Sequence, residues 1–142
     1  MPDSDSEMTG GCLCGAVRYR ATGPVRDSAW CHCRTCQRAH SAPAVAWFTV
    51  PDASLAYTLG KPTAYASSST GQREFCAACG SQLVFRDRRY PGQADVATAS
   101  LDHPGTIAPG YHIWRMSRVP WFETADALPR HDDAGPDAPA AD

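Results

Sequence analysis

The chain has 142 residues, enough for one domain with its own core. Hydrophobic residues make up 43% of it and charged residues 20%, a balance that argues against a disordered chain. No apolar run approaches the roughly eighteen residues of a membrane helix, so we expect no membrane partner. Residues 9–128 carry 12 basic and 8 acidic side chains. That excess is too small for a nucleic-acid surface but suits an anionic small molecule.

The two ends of the chain are predicted to be tails. Residues 1–8 are acidic and polar and lack the basic and apolar segments of a signal peptide, so we expect a cytoplasmic protein. Residues 129–142 have no large apolar side chain, and such a segment cannot offset the entropy lost on ordering. We therefore predict a disordered tail over 1–8, one folded domain over 9–128 and a disordered acidic tail over 129–142.

Short strands are predicted along the domain, because brief apolar or alternating runs are separated by twelve prolines and eleven glycines. The candidate strands are residues 16–21, 44–50, 55–58, 73–75, 82–86 and 94–99. A short helix is predicted over 34–40 and a polar loop over 67–71. The fold class is therefore all-β with few short helices. We expect the aromatic side chains to lie in the core or in a pocket wall, namely Trp47, Phe48, Trp114, Trp121 and Phe122.

The seven cysteines form three groups, which are Cys12 with Cys14, Cys31 with Cys33 and Cys36, and Cys76 with Cys79. In a reducing compartment an odd number of clustered cysteines indicates metal binding rather than disulfides. A C-x-x-C pair reaches one tetrahedral zinc ion through a tight turn, and Gly80 follows the second such cysteine. A C-x-C pair projects both sulfurs from one face of an extended chain. Zinc is therefore the predicted cofactor.

The number of sulfurs predicts two zinc sites of different kinds. Two cysteine pairs make a closed four-thiolate site, which is typical of structural zinc. The group Cys31, Cys33 and Cys36 then leaves a fourth position open, which is typical of reactive zinc. Spacing alone leaves the pairing open, because Cys31 and Cys33 could instead join Cys76 and Cys79.

Two features beside the three-cysteine group have competing interpretations. Arg34 and Arg38 could hold substrate carboxylates through paired hydrogen bonds, or they could be ordinary solvated surface charges. His40 could fill the fourth position of the zinc site, and a closed Cys₃His site would argue against catalysis.

Four segments of the sequence resemble the glutathione-dependent formaldehyde-activating enzyme family, which includes centromere protein V. They are residues 10–19, 31–38, 75–81 and 112–122, and the resemblance spans about residues 9–125. It implies a β-tent fold, two layers of antiparallel sheet splayed around the metals. By this resemblance the structural zinc ligands are Cys12, Cys14, Cys76 and Cys79, and the ligands of a second, catalytic zinc are Cys31, Cys33 and Cys36.

The resemblance also implies an activity, the joining of formaldehyde and glutathione into S-hydroxymethylglutathione, formally a carbon–sulfur lyase in reverse. Our leading hypothesis is therefore a zinc-dependent carbon–sulfur lyase with two zinc ions per chain and a small-molecule thiol such as glutathione as its partner. Arg34 and Arg38 are the predicted substrate-binding residues. The alternative is a non-catalytic, zinc-stabilised binding module in which both ions only hold the sheets together.

Overall fold

The computed structural model describes residues 6–136 and confirms an all-β chain with one short α-helix. The strands are β1 (Glu7–Gly11), β2 (Arg18–Thr22), β3 (Asp27–Cys31), β4 (Val45–Pro51), β5 (Leu55–Leu59), β6 (Thr63–Ala66), β7 (Gly71–Phe75), β8 (Gln82–Asp87), β9 (Gln93–Ala97) and β10 (His112–Ile113). The helix α1 spans Arg34–His40, as predicted. Among the described residues, no helix has the length and apolar character needed to cross a membrane.

The strands form two sheets that share one core. The small sheet has the order β1-β2-β5 and the large sheet the order β10-β3-β4-β9-β8-β7-β6. Every pair of neighbouring strands is antiparallel except β10 and β3, which are parallel. Alternate residues of β4 point to opposite faces of the large sheet, so this strand contributes to the apolar packing on both faces. Phe48 and Val50 enter the core shared with Tyr19 of the small sheet, whereas Val45 and Trp47 pack on the opposite face beside Cys36 of α1.

Gln37 fixes the helix α1 to its surroundings. This side chain is buried, and its amide nitrogen donates to the carbonyls of His32 and Ser117 at 2.7 and 3.1 Å. Its amide oxygen accepts from the Arg34 guanidinium at 2.5 Å. The helix ends at Ser41, which adopts a left-handed conformation and donates its N–H to the Gln37 carbonyl. The three-cysteine segment is therefore tied to the C-terminal part of the chain.

Both ends of the domain differ from the predicted boundaries. Glu7 and Met8, assigned to the N-terminal tail, belong to β1, because Met8 is apolar and buried opposite Ala21. Residues 129–136 are described as well, and the backbone of Pro129 and His131 hydrogen-bonds to β10 at 2.9 Å. The disorder predicted for residues 1–5 and 137–142 lies outside the described residues.

Four strands were not predicted, and one aromatic residue lies in an unexpected place. The unpredicted strands are β1, β3, β6 and β10. β6 is exposed along its whole length at the edge of the large sheet, so no alternation of apolar residues marks it. Trp121 was expected in the core or a pocket wall but is 77% exposed. It lies in the irregular segment after the last strand and outside the apolar groups on both faces of the large sheet.

Candidate metal centres

The four-cysteine cluster joins two turns that are far apart in the sequence. Cys12 and Cys14 lie between β1 and β2, and Cys76 and Cys79 lie between β7 and β8. Their sulfur atoms lie within 4.8 Å of one another, and the Cys12–Cys14 and Cys14–Cys76 sulfur separations are 3.7 and 3.8 Å. A tetrahedral zinc ion with Zn–S bonds of about 2.3 Å holds its sulfurs about 3.8 Å apart. The geometry therefore fits a closed metal site that links the two sheets.

The turn between β7 and β8 shapes this cluster. Gly80 has φ of 79° and donates its N–H to the Cys76 carbonyl at 2.7 Å, so the chain reverses directly after the second cysteine. The Ser81 hydroxyl accepts the Leu13 N–H at 3.0 Å and lies 3.2 Å from the Cys79 sulfur. Hydrogen bonds from the side chain and backbone of Ser81 lower the pKa of Cys79 to about 5. Cys79 is therefore a thiolate at neutral pH, which is the form that binds metals.

The three-cysteine cluster lies on the other face of the large sheet, beside α1. Cys31 ends β3, Cys33 precedes the helix and Cys36 lies in its first turn, and the three sulfurs lie within 4.8 Å of one another. The backbone N–H of Cys36 donates to the Cys33 sulfur at 3.3 Å, so the sulfur also caps the helix. Cys31 and Cys36 are buried and Cys33 is half-buried. Three soft thiol ligands so close together fit zinc or a similar metal.

The charge of the three-cysteine cluster is uneven. Hydrogen bonds from the Cys31 and Cys36 thiols, together with the Cys36 N–H, lower the pKa of Cys33. The pKa of Cys31 is raised by hydrogen bonds of its thiol to the Cys33 and Cys36 sulfurs and by burial. The cluster therefore holds a thiolate at neutral pH, and a bound dication would favour loss of the remaining protons.

A cationic cleft adjoins this cluster. It has a volume of about 760 Å³, and none of the described residues that line it is acidic. Arg34 and Arg38 are exposed at its mouth, Arg73 is buried, and Tyr65 and Gln82 belong to its walls. The Arg73 guanidinium lies 3.6 Å from the Cys36 sulfur, so this residue connects the cleft to the cluster. The structure thus places both predicted arginines on the lining of a cleft that Arg73 links to the three cysteines.

The histidines near the three-cysteine cluster have other partners. The group of ligand atoms within 4.8 Å consists of three sulfurs and, among the described residues, does not include His40, whose ring packs edge-on against Trp47. His32 shares a 2.9 Å hydrogen bond with His112, which lies 3.1 Å from the Asp126 carboxylate. Because a carboxylate only accepts, His112 Nε2 donates to Asp126, and in a neutral His112 ring Nδ1 then accepts from His32 Nε2. This buried chain holds the strand end that carries Cys31.

Arg73 and His112 were not singled out in the sequence. Arg73 lies in a segment predicted as a strand, where a charged residue is ordinary, and only the register of β7 places it opposite Phe85 on the cluster's face. The pairing of β10 with β3 places His112 beside Trp30 and His32. The position of Arg73, three residues before Cys76, is a sequence signal that it lies near a cysteine cluster. That position does not determine which face of the large sheet its side chain occupies.

Comparison with known proteins identifies the family. The sequence model described as "Glutathione-dependent formaldehyde-activating enzyme" matches residues 7–117. The chain belongs to the glutathione-dependent formaldehyde-activating enzyme family. The match spans both cysteine clusters and all the strands of the small and large sheets, so the resemblance seen in the four motifs is confirmed.

Individual relatives of this family agree with the assignment. An uncharacterized lyase of Schizosaccharomyces pombe is 38% identical over 81 residues, which cover 56% of this chain and 57% of that protein. A Halomonas elongata protein, provisionally named a glutathione-dependent formaldehyde-activating enzyme, is 26% identical over 125 residues, covering 82% of this chain and 80% of the relative. The crystal structure of a Rhodobacter sphaeroides protein matches with a TM-score of 0.57 and 26% identity, over 67% of this chain and 88% of that one.

Proposed function

We propose that the chain is a zinc-dependent, lyase-type enzyme that makes or breaks the carbon–sulfur bond of a thiol adduct such as S-hydroxymethylglutathione. Family membership and the names of the relatives support glutathione-related, lyase-like chemistry. The observation that carries the proposal is the connection, through Arg73, between the three-cysteine cluster and a cationic cleft. The proposal includes a cytoplasmic location, because the seven cysteines form no disulfide and a reducing compartment would keep them available to bind metal.

The two clusters have different proposed roles, with one zinc ion each. The four sulfurs of Cys12, Cys14, Cys76 and Cys79 complete a tetrahedral set, so their ion is proposed to be structural. Cys31, Cys33 and Cys36 would hold the second ion from one side. When bound there, zinc offers a position at which a substrate thiol loses its proton, because the metal charge favours the thiolate.

The proposed reaction balances without any further co-reactant. The sulfur of glutathione forms a bond with the carbonyl carbon of formaldehyde, and the π electron pair moves to oxygen, which takes up the proton released by the thiol. The reverse reaction breaks the same carbon–sulfur bond. The chain's contribution would be binding and orientation: Arg34 and Arg38 line the cleft and would hold the glutathione carboxylates by charge-assisted hydrogen bonds.

Replacing Cys36 with serine tests the metal assignment and thiol access together. We expect the zinc content to fall from about two to about one per chain, since the four-cysteine cluster keeps its ligands. With cobalt in place of zinc, glutathione should change the visible spectrum of the unmodified protein and leave that of Cys36→Ser unchanged. Both ions remaining bound in the variant would contradict the ligand assignment.

A rate measurement separates the enzyme from the binding module. Formaldehyde adds to thiols unaided, so exchange between glutathione and S-hydroxymethylglutathione must be measured by NMR with and without protein. We expect the zinc-loaded protein to accelerate exchange and Cys36→Ser to give the background rate. A cobalt spectrum unaffected by glutathione, together with background exchange, would favour the non-catalytic module and refute the proposed activity.

A further inference from the structure

Arg73 is a buried cation whose partners do not account for its charge. Its side chain is 5% exposed, and Nη2 donates to the Cys36 sulfur at 3.6 Å. Nε and Nη1 are buried and have no hydrogen-bond partner among the residues the structure describes. The guanidinium carbon lies 4.9 Å from the centre of the Phe85 ring and 6.0 Å from that of Trp47. The aromatic rings offset part of the cost of burying this charge, but an anion is needed to offset the rest.

The anions that Arg73 would face are the three thiolates of the metal-loaded cluster, of which the Cys36 sulfur is its direct contact. Three thiolates exceed the charge of a divalent metal by one unit, so the loaded cluster would carry one net negative charge, which Arg73 would match. A substrate thiolate would add a second negative charge in a partly buried site. Such accumulation is unfavourable where the dielectric constant is low, unless a positive charge lies close by. Arg73 supplies that charge at the Cys36 sulfur.

We propose that Arg73 is the positioning residue that lets the three-cysteine cluster take an anionic thiolate as its fourth ligand. The inference rests on the proposed function, because it requires the cluster to hold a metal. It also divides recognition of the substrate into two parts. Arg73 favours the thiolate of any small thiol, whereas Arg34 and Arg38 at the exposed mouth of the cleft favour the carboxylates of one that carries them.

Two thiols and three variants separate these parts. The full-length, cobalt-substituted protein is titrated with glutathione, which has carboxylates, and with 2-mercaptoethanol, which has none. We expect Arg73→Gln to weaken binding of both thiols by roughly ten- to a hundredfold, because a charge-assisted interaction is lost. Arg73→Lys should recover most of this affinity. The matched control, Arg34→Ala combined with Arg38→Ala, should weaken glutathione alone.

A salt titration of the unmodified protein tests the same inference without any variant. Raising sodium chloride from about 0.05 to about 0.5 M screens exposed charges but acts little on buried ones. The affinity for 2-mercaptoethanol should therefore change less than about twofold, while that for glutathione falls several-fold. If Arg73→Gln loses the metal of the cluster, this measurement still tests the inference, because a steep salt dependence for 2-mercaptoethanol would refute it.

The outcomes distinguish this inference from the proposed function. If the unmodified protein shows no thiol-dependent change in its cobalt spectrum, the proposed function fails. If it responds and Arg73→Gln binds both thiols with unchanged affinity, only the role of Arg73 is refuted. An affinity for 2-mercaptoethanol that falls with salt as steeply as that for glutathione would also refute it, because exposed charges would then be responsible.

Discussion

Replacing Gly80 with alanine should weaken the four-cysteine cluster through the backbone alone. Gly80 has φ of 79°, and a Cβ atom at this position would meet nothing within 4 Å. The substitution therefore adds no steric contact, and its cost is that of a left-handed conformation in a residue with a side chain, about 1 kcal/mol. Because the Gly80 N–H closes the turn onto the Cys76 carbonyl, the same strain should lower metal affinity by up to about fivefold.

Two other glycines provide matched controls. Gly92 has φ of 77° and equally open surroundings, but it lies in the connection between β8 and β9, away from the cysteines. Gly92→Ala should therefore cost about 1 kcal/mol of unfolding free energy with no change in metal affinity. Gly105 has open surroundings without a left-handed φ, so Gly105→Ala should change neither quantity by more than about 0.5 kcal/mol.

The assay combines urea unfolding of the zinc-loaded proteins with competition for zinc by a chromophoric chelator. The expected pattern is a loss of stability in Gly80→Ala and Gly92→Ala and a loss of metal affinity in Gly80→Ala alone. If Gly80→Ala binds zinc as tightly as the unmodified protein, the turn does not need its glycine to present Cys76 and Cys79. If Gly105→Ala is destabilised equally, the effect does not come from the backbone conformation.

Two further predictions concern buried polar groups. Burial, with Asp27 and Asp87 nearby, raises the pKa of Asp95 to about 6. The contribution of the protonated Asp95 carboxyl to stability is therefore fully present below about pH 4 and is lost as the pH rises through about 6. Between pH 4 and pH 7, Asp95→Asn should therefore gain about 2 kcal/mol of unfolding free energy relative to the unmodified protein. Taking the difference between the two proteins at each pH cancels the pH dependence of the cysteines. A difference that stays constant with pH would contradict this prediction. His112→Phe should lower the unfolding free energy measured in urea by about 2 kcal/mol, because His32 loses its 2.9 Å hydrogen-bond partner inside the protein. The control His103→Phe, at an exposed position, should change it little. Equal effects would show that the hydrogen bond between His32 and His112 does not stabilise the fold.

The local parts of the fold could be predicted from sequence because short-range rules determine them. Helix α1 and six of the strands follow from apolar patterns bounded by proline and glycine. The C-x-C and C-x-x-C spacings likewise bring sulfurs together within a few residues. These signals depend on neighbours in the chain, which the sequence displays directly.

The remaining features depend on contacts between distant segments. Cys14 and Cys76 lie 62 residues apart, and only the packing of the small sheet on the large one brings their sulfurs to 3.8 Å. Arg73 and Glu74 are adjacent, yet they face opposite sides of β7, Arg73 toward Phe85 and Glu74 toward Tyr57. Strand register decides which side meets the cluster, and a shift of one residue would exchange them.

The positions of the two clusters agree with the proposed division into a structural site and a reactive site. Cys12 and Cys76 belong to the core shared by both sheets, so loss of the proposed metal would separate segments on which the whole domain depends. The three cysteines belong to one strand end and one helix on the outer face of the large sheet, and they connect through Arg73 to an open cleft. If a metal is bound there as proposed, a ligand could therefore enter or leave its coordination sphere without disturbing the core between the sheets. The proposed second site would thus change its fourth ligand while the fold stays intact.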